Sequence, residues 1–402
     1  RRVRHGGFLC CIDGFDNAHF SVSAAEASTM DPQQRMLLEG GYSALHNATM
    51  DRASLLGSRT GVYVAIAAND WSNILDASLS AGSVYSATGG SHSIAAGRLS
   101  FALGFHGPCV SYDTACSSAL VANHGAAQAI QCGDCALNLA SCVNLMLLPR
   151  VSWNFALAGM TSIDGKCYTF DHRADGYARA EACCSLVLGL NGMSQNEVEV
   201  LMRGSSVWQD GRSASLTAPN GHAQKMLLCH ALANAGIISQ QLSCYEAHGT
   251  GTPLGDPIEV RSFGSAVLSE LRETESLPMG SMKANVGHAE PAAGFVGAIR
   301  LIGGSVRMAA PPNAQLRVLN PHIVDSLAEH VCIGVMVTQL AKSTMDCSNG
   351  LRHTDGVSSF GYSGTIVHAL IGRGEARASI QRGCRLKYMR RRFPWPSHAR
   401  AP

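Results

Sequence analysis

A regular alternation of short apolar, β-forming runs with longer helical stretches is the feature that most narrows the folds open to this chain. Residues 61–68 (GVYVAIAA) and 108–113 (PCVSYD) are strand-like, as are stretches near 198–208 and at 243–247. Helix signals lie between them. Asp31-Pro32 joins an N-cap residue to a proline at the first helical position and opens a helix reaching about Ala48. Further helices are expected near 89–102, just after Cys116, at 221–235, and near 256–268 and 289–303 behind Gly-rich loops. This order predicts an α/β protein with mostly parallel, buried sheets, in two comparable halves that meet near residues 190–200. With 46% apolar residues over 402 positions the chain can fill a large core, and 15% charged residues with 42 glycines exclude a disordered chain, a coiled coil or a simple bundle.

The formal net charge of +2 is uneven. Residues 371–402 hold nine Lys/Arg against one acid, and Arg1, Arg2 and Arg4 add three more, so the body is left near −9. An acidic body argues against a nucleic-acid-binding face, which needs clustered cations. The tail, basic and proline-containing, reads as a solvated linker. The expected divisions are therefore residues 1–195, 196–370 and a linker over 371–402. Fifteen irregularly spaced cysteines without a leading signal peptide predict reduced core thiols and a soluble protein of a cytoplasmic-type compartment, a plastid or other organelle staying open. The longest apolar stretch, around 135–148, contains Asn138, Ser141 and Asn144 and is too short to span a bilayer.

Four segments carry candidate chemistry. In Asp113-Thr114-Ala115-Cys116-Ser117-Ser118-Ala119 a strand gives way to small residues, which places Cys116 on a sharp strand-to-helix turn. A helix N-terminus there favours a thiolate and offers free N–H groups to an oxyanion. In Glu246-Ala247-His248-Gly249-Thr250-Gly251-Thr252 a histidine enters a Gly/Thr loop, with Asp256 following, where backbone approaches a ligand closely; the glycine spacing fits neither a dinucleotide fingerprint nor a phosphate loop. Lys283, His288 and Glu290, in a run that also holds Asn285, put a titratable cluster at a helix start. Residues 358–365, with Phe360 and Tyr362, form a tight turn whose N–H groups suit an anion, although either of these last two segments alone fits capping or a plain turn. Cys132-Gly133-Asp134-Cys135 has C-x-x-C spacing but no second ligand pair at a zinc interval, so it is read as core thiols, as are Cys10-Cys11 and Cys183-Cys184.

In this order the segments resemble the β-ketoacyl synthase (ketosynthase) domain of modular, type I-like polyketide synthases. The resemblance rests on DPQQRMLLE at 31–39, AGRLSFALGFHGPCVSYDTACSSALVA at 96–122, DGRSASLTAPNG at 210–221, EAHGTGTPLGDPIEV at 246–260, KANVGHAEPAAG at 283–294 and GVSSFGYSGT at 356–365. It runs from about Gly6 to Leu370. It implies a thiolase-like fold, two related α/β halves in a five-layer α-β-α-β-α sandwich, and a homodimer. It implies decarboxylative Claisen condensation in polyketide or fatty acid elongation, with Cys116 as acyl-accepting nucleophile, His248 and His288 as the catalytic pair and Lys283 in support. Backbone N–H groups of Cys116 and Tyr362 match the oxyanion hole, with Tyr362 where the family has a gating Phe; Phe360, Thr250 and Thr252 fall beside the substrate, and Asp256, Glu290 and Asn285 in supporting places. No cofactor is expected to bind directly: acyl and malonyl-type thioesters arrive on the phosphopantetheine of an acyl carrier protein.

Departures from the family pattern set further expectations. The strand and helix that precede Gly6 in the family are missing here, which is expected to leave backbone groups of the first half without partners. Ile366-Val367-His368 replaces Asn-Ala-His, Trp208 replaces Asn, and Ala180 and Ala182 replace Gly, each a source of crowding. A catalytically degenerate, carrier-docking scaffold and a thiol hydrolase built on Cys116 and His248 are the competing readings.

Overall fold

Burial on both faces explains the continuous apolar runs. In the computed structural model, which describes residues 2–78, 82–190, 200–270, 277–307, 312–328, 354–374 and 386–395, the runs at 61–68 and 243–247 become interior strands of two sheets, and those at 108–113 and near 198–208 become edge strands. The first sheet has the order β3-β2-β4-β5, formed by β2 (Gly61–Ala65), β3 (Cys109–Tyr112), β4 (Leu137–Asn144) and β5 (Ala182–Gly189). The second has the order β6-β10-β9-β7-β8, from β6 (Val200–Gln209), β7 (Leu242–Glu246), β8 (Met279–Gly280), β9 (Thr354–Phe360) and β10 (Thr365–Arg373). The order and directions of β3-β2-β4-β5 recur as β8-β7-β9-β10, so the two halves share one plan. The second sheet adds β6 beside β10. Residue 195, the expected boundary, lies outside the described residues.

Three helical layers enclose the two sheets. Between them lie the helices Ser118–Gln131 and Ala293–Arg307, whose Ala119, Ala122, Ala126, Phe295 and Ala298 pack on Tyr63 and Ala140 of one sheet and on Val357 and Val367 of the other. The alanines let both sheets approach closely. Outside the first sheet, Leu37, Leu38 and Leu45 of Pro32–Asn47 and Leu99 of His92–Leu103 cover Val62, Val64 and Leu139. Outside the second, Leu228, Val260, Phe263 and Ile323 cover Leu242, Tyr245 and Leu370. The result is the α-β-α-β-α sandwich.

Three expectations need correction. Antiparallel pairings are as frequent as parallel ones among the described strands, because β9 and β10 are joined by a tight turn and such a hairpin is necessarily antiparallel. Residues 386–395 of the basic tail are not a solvated linker. They return to the first half, where Arg391–Arg392 (β11) pairs with Gly14–Phe15 (β1), Phe393 is buried, and the Tyr388 hydroxyl donates to the Glu39 carbonyl at 2.9 Å. Aromatic side chains flank the run of arginines there, and Phe393 enters the core beneath the Arg35 guanidinium while Arg390 pairs with Glu39 at 2.8 Å. Finally, Cys10, Cys11 and Cys132 are exposed rather than in the core; Cys10 and Cys11 sit in a surface turn, where Gly14 N–H donates to the Cys11 carbonyl, and Cys132 caps a helix end.

The substituted positions are accommodated. Trp208 and Ile366 are cross-strand partners on β6 and β10, and both join one small apolar cluster with Phe360 and Leu227. Ala180 is buried between Gly7 and Gly287: a Cβ on Gly287 would come within 3.0 Å of the Ala180 methyl, and Gly287 also holds a φ of +90°. The space lost at one position is returned at its neighbours.

Candidate active site

The end of β3 and the start of the 118–131 helix meet in a sharp turn. Ala115 holds φ +55°, a left-handed conformation that a residue with a side chain adopts only where its surroundings enforce it. Ser118 enforces it here, since its hydroxyl accepts from Thr114 N–H at 2.8 Å and donates to the Ala115 carbonyl at 2.6 Å. Ser359 on β9 donates to the Cys116 carbonyl at 2.7 Å and so ties the second half to the turn. The Cys116 sulfur faces the backbone N–H groups of Tyr362 and of Cys116 itself, and lies 3.0 Å from His288 Nε2.

The turn does not make a standing thiolate, contrary to the helix-dipole expectation. Cys116 is only 8% exposed, and burial pushes its thiol up to about 12, with Glu290 adding to the effect and Lys283 and the two N–H groups opposing it. Withdrawal of water outweighs the stabilisation offered by the helix start. Alkylation by iodoacetamide should accordingly rise about tenfold per pH unit between about pH 7 and 10, because the thiolate fraction keeps growing there, without the plateau of a free thiol near pH 8.5. Peptide mapping of Cys116 against pH checks this.

Both histidines are held neutral. Burial, then Lys283 and then His248's neighbour His288 push His248 well below the usual histidine range; burial, Lys283 and Arg179 do the same to His288. Their rings stand edge to face with centroids 5.6 Å apart. Phe360 N–H donates to His248 Nδ1 at 3.2 Å, which leaves the proton on Nε2. The main chain of His288 is pinned on both sides, its N–H donating to the Ala178 carbonyl at 2.7 Å and its carbonyl accepting from Ala180 N–H at 2.8 Å. Lys283 is itself buried, and its charge reaches both imidazoles and the sulfur.

The remaining candidates divide into neighbours and braces. Phe360 and Tyr362 flank the site, the first against His248 with ring centroids 5.4 Å apart and the second against Phe155. Thr250 is buried with its hydroxyl 3.4 Å from that of Thr252, which in turn accepts from Gly255 N–H. Asp256 accepts from Gly251 and Phe170 N–H groups and so braces the loop after His248; burial pushes its carboxyl up to about 7. Glu290 pairs with Arg179, whose NH2 lies 2.8 Å from it. Asn285 is exposed and bonds to Pro312 and Ala314, so it braces a neighbouring loop rather than meeting the sulfur.

Two contributors carry little signal in the sequence. Arg179, 3% exposed, spans Glu290, Ser152 and the Phe155 ring; a cation set inside the apolar approach to β5 is its only sign. Glu259 accepts from the N–H groups of His248 at 2.7 Å and Gly249 at 2.8 Å, and its place in the Gly-Asp-Pro-Ile-Glu run gives no hint of that geometry. Among the described residues, no cluster of three or more His, Cys, Asp or Glu side chains is arranged to hold a metal, and no helix is long and apolar enough to cross a membrane.

Known proteins resemble this chain in sequence and in fold. The families described as "Beta-ketoacyl synthase, N-terminal domain" and "Beta-ketoacyl synthase, C-terminal domain" match residues 1–190 and 200–317. The chain is 40% identical over 383 residues to a phenolphthiocerol/phthiocerol polyketide synthase protein of Mycobacterium bovis, covering 93% of this chain and 20% of the relative. It is 38% identical to the spectinabilin polyketide synthase system protein NorC of Streptomyces orinoci, covering 92% and 16%. The chain thus spans about a fifth of these relatives' length. Among solved structures, the module 6 ketosynthase of the bacillaene synthase from Bacillus subtilis 168 matches with a TM-score of 0.83 at 31% identity, over 91% of this chain and 64% of that one. The oxazolomycin ketosynthase domain OzmH KS7 of Streptomyces albus JA3453 matches with a TM-score of 0.84 at 31% identity, over 93% and 66%. Two halves of one plan, a cysteine on a strained turn and two neutral imidazoles beside it therefore sit in a thiolase-like fold, and the chain belongs to the β-ketoacyl synthase family, as a ketosynthase domain of the modular polyketide synthase kind.

Proposed function

We propose that the chain lengthens an acyl thioester by decarboxylative Claisen condensation, with Cys116 holding the growing acyl group. The observation that carries this reading is the 3.0 Å approach of the Cys116 sulfur to a neutral His288, beneath two backbone N–H groups and beside a second neutral imidazole. In the first half-reaction the thiol proton passes to His288 as sulfur attacks the thioester carbonyl, and the oxyanion meets the N–H groups of Cys116 and Tyr362. The carrier thiol leaves with that proton. In the second, with His288 now in the neutral tautomer protonated on Nε2, its ring proton having exchanged there from Nδ1 through solvent, a malonyl thioester loses CO₂, and the resulting enolate oxygen accepts hydrogen bonds from Nε2 of His248 and His288. The enolate carbon attacks the acyl-Cys carbonyl, the C–S bond breaks with its electron pair going to sulfur, and the Cys116 thiolate takes a proton from solvent to return as the thiol. The positive charge of Lys283 suits this scheme, since it keeps both imidazoles as neutral donors.

Both thioesters are read as arriving on the phosphopantetheine arm of an acyl carrier protein, and the working unit as a homodimer. The names of the relatives favour a polyketide product. Assembly of nucleophile, paired histidines and N–H groups at one place favours this over a degenerate scaffold, which needs none of them. Incubation with a short acyl thioester and a malonyl-loaded carrier protein is expected to yield a β-ketoacyl carrier, read as its intact mass. Release of free acid with no new C–C bond would instead establish a thiol hydrolase.

A further inference from the structure

Behind His248 lies a buried line of hydrogen bonds that the reaction above leaves unused. His368 Nδ1 is 2.9 Å from Ser358 Oγ, Ser358 Oγ is 2.8 Å from Tyr245 Oη, and Tyr245 Oη is 3.0 Å from Glu259 Oε1. Glu259 in turn accepts from the His248 and Gly249 N–H groups. All four side chains are buried, and they come from four elements: β10, β9, β7 and the helix Gly255–Ala266.

We propose that Tyr245, Ser358 and His368 are positioning residues, a one-way relay of donors that keeps Glu259 a carboxylate and so fixes the loop from which His248 presents its Nε2–H. The proposal rests on the role given to His248 above.

The direction of the relay follows from proton counting. A carboxylate only accepts, so the single proton of the Tyr245 hydroxyl goes to Glu259. The Tyr245 hydroxyl is also placed to donate to Ser358 Oγ, but with Glu259 a carboxylate its one proton is committed there, so the Ser358 hydroxyl fills the contact with Tyr245 Oη and Ser358 Oγ accepts from His368, which is then the neutral tautomer protonated on Nδ1. Burial agrees with that tautomer's charge, since it pushes His368 down to about 3. The ring is seated over Gly356, where a Cβ would come within 2.8 Å of His368 Cε1, so a glycine is required for it to fit. Ser358 and Phe360 both lie on β9, and Phe360 N–H holds His248 Nδ1; one strand therefore sets the relay and the ring together.

Glu259 is tuned by what surrounds it. Burial is the largest influence and leaves its carboxyl above the ordinary value, while the N–H groups of Gly249 and His248, the Tyr245 hydroxyl and the Lys283 charge oppose it, in that order. Asp256 on the same helix and Glu246 at the end of β7 are the nearby acidic groups. Loss of the Tyr245 donor removes one opposing influence, so Glu259 protonates at a higher pH and releases the two loop N–H groups.

Tyr245→Phe is the decisive variant, because the ring keeps its stack on Phe263, with centroids 4.0 Å apart, and loses only the relay proton. Acylation of Cys116 from acetyl pantetheine thioester, followed by intact mass, is expected to be unchanged. Decarboxylation of malonyl pantetheine thioester is expected to fall about tenfold or more, as misplacement of a single catalytic group does. The acidic limb of the decarboxylation profile should move up by about half a pH unit or more. His368→Ala should share these changes and His368→Asn, which keeps a donor near the Nδ1 position, should reverse most of them. An equal fall in both half-reactions, or an unmoved acidic limb, overturns the relay. A His248→Ala variant that decarboxylates as fast as the parent overturns the reading of His248, and the relay with it.

Discussion

Replacing Cys116 by alanine is expected to abolish acylation. The parent chain should gain one acyl group from a short acyl thioester and Cys116→Ala none, a loss of about 10⁴-fold or more in the rate of adduct formation, as removal of a nucleophile produces elsewhere. Intact mass reads the result directly. The control is built into the chain, which carries fifteen cysteines, and among the described residues four of them (Cys10, Cys11, Cys109 and Cys132) are exposed. Exposed thiols are easier to reach, yet among the described cysteines Cys116 alone combines an imidazole nitrogen 3.0 Å from the sulfur with two N–H groups for an oxyanion. An adduct that persists in Cys116→Ala at exposed thiols would mean that access, rather than the built site, controls transfer, and would refute the assignment of the nucleophile.

Arg179→Ala is expected to be the most damaging substitution for stability away from the sulfur. Arg179 and Glu290 form a fork-like pair, with Ser152 Oγ 2.6 Å from the remaining guanidinium nitrogen and the Phe155 ring 5.3 Å from its carbon. Truncation leaves the Glu290 carboxylate buried without its counter-charge, and loss of one partner of such a pair costs about 3–5 kcal/mol. Equilibrium denaturation should show it as a lowered midpoint. Arg179→Ala/Glu290→Ala should recover part of the loss, because the stranded charge is then gone as well. A cost below about 1 kcal/mol would show that water reaches the pair, as it does for surface ion pairs.

What the sequence displays depends on whether the physics is local. The Cys116 turn is legible because strand, small residues and helix start are contiguous, and His248 and His288 are legible because each sits in a short polar run beside glycines. Asp31-Pro32 marks a helix start for the same reason, and the side chain of Asp31 accepts from Gln33 N–H as that pattern requires. Arg179 and Glu290 are 111 positions apart, and nothing local to either announces the other. Tyr245 reads as one more β-former, since its hydroxyl acquires meaning only when β9 lies alongside β7. The β9–β10 hairpin looks like an isolated turn because its strands are buried on both faces and show no alternation. Charge misleads at the tail: dense arginines suggest solvent, while the carboxylates that hold the segment, Glu39 for the Arg390 guanidinium and Asp16 for the Met389 N–H, lie far earlier in the chain.

That tail sets an order of events during synthesis. The Tyr388 hydroxyl and the Glu39 carbonyl are separated by 349 positions, and Phe393 closes over Phe15 only after nearly everything between has been made. At translation rates of about 5–20 residues per second, the aromatic surface around Phe15, Phe20 and Tyr42 waits roughly 20–70 seconds for its cover. In that interval the nascent first half exposes an unclosed apolar face on the ribosome, where a chaperone or the sister chain of a polysome can reach it before its own C-terminal strand arrives.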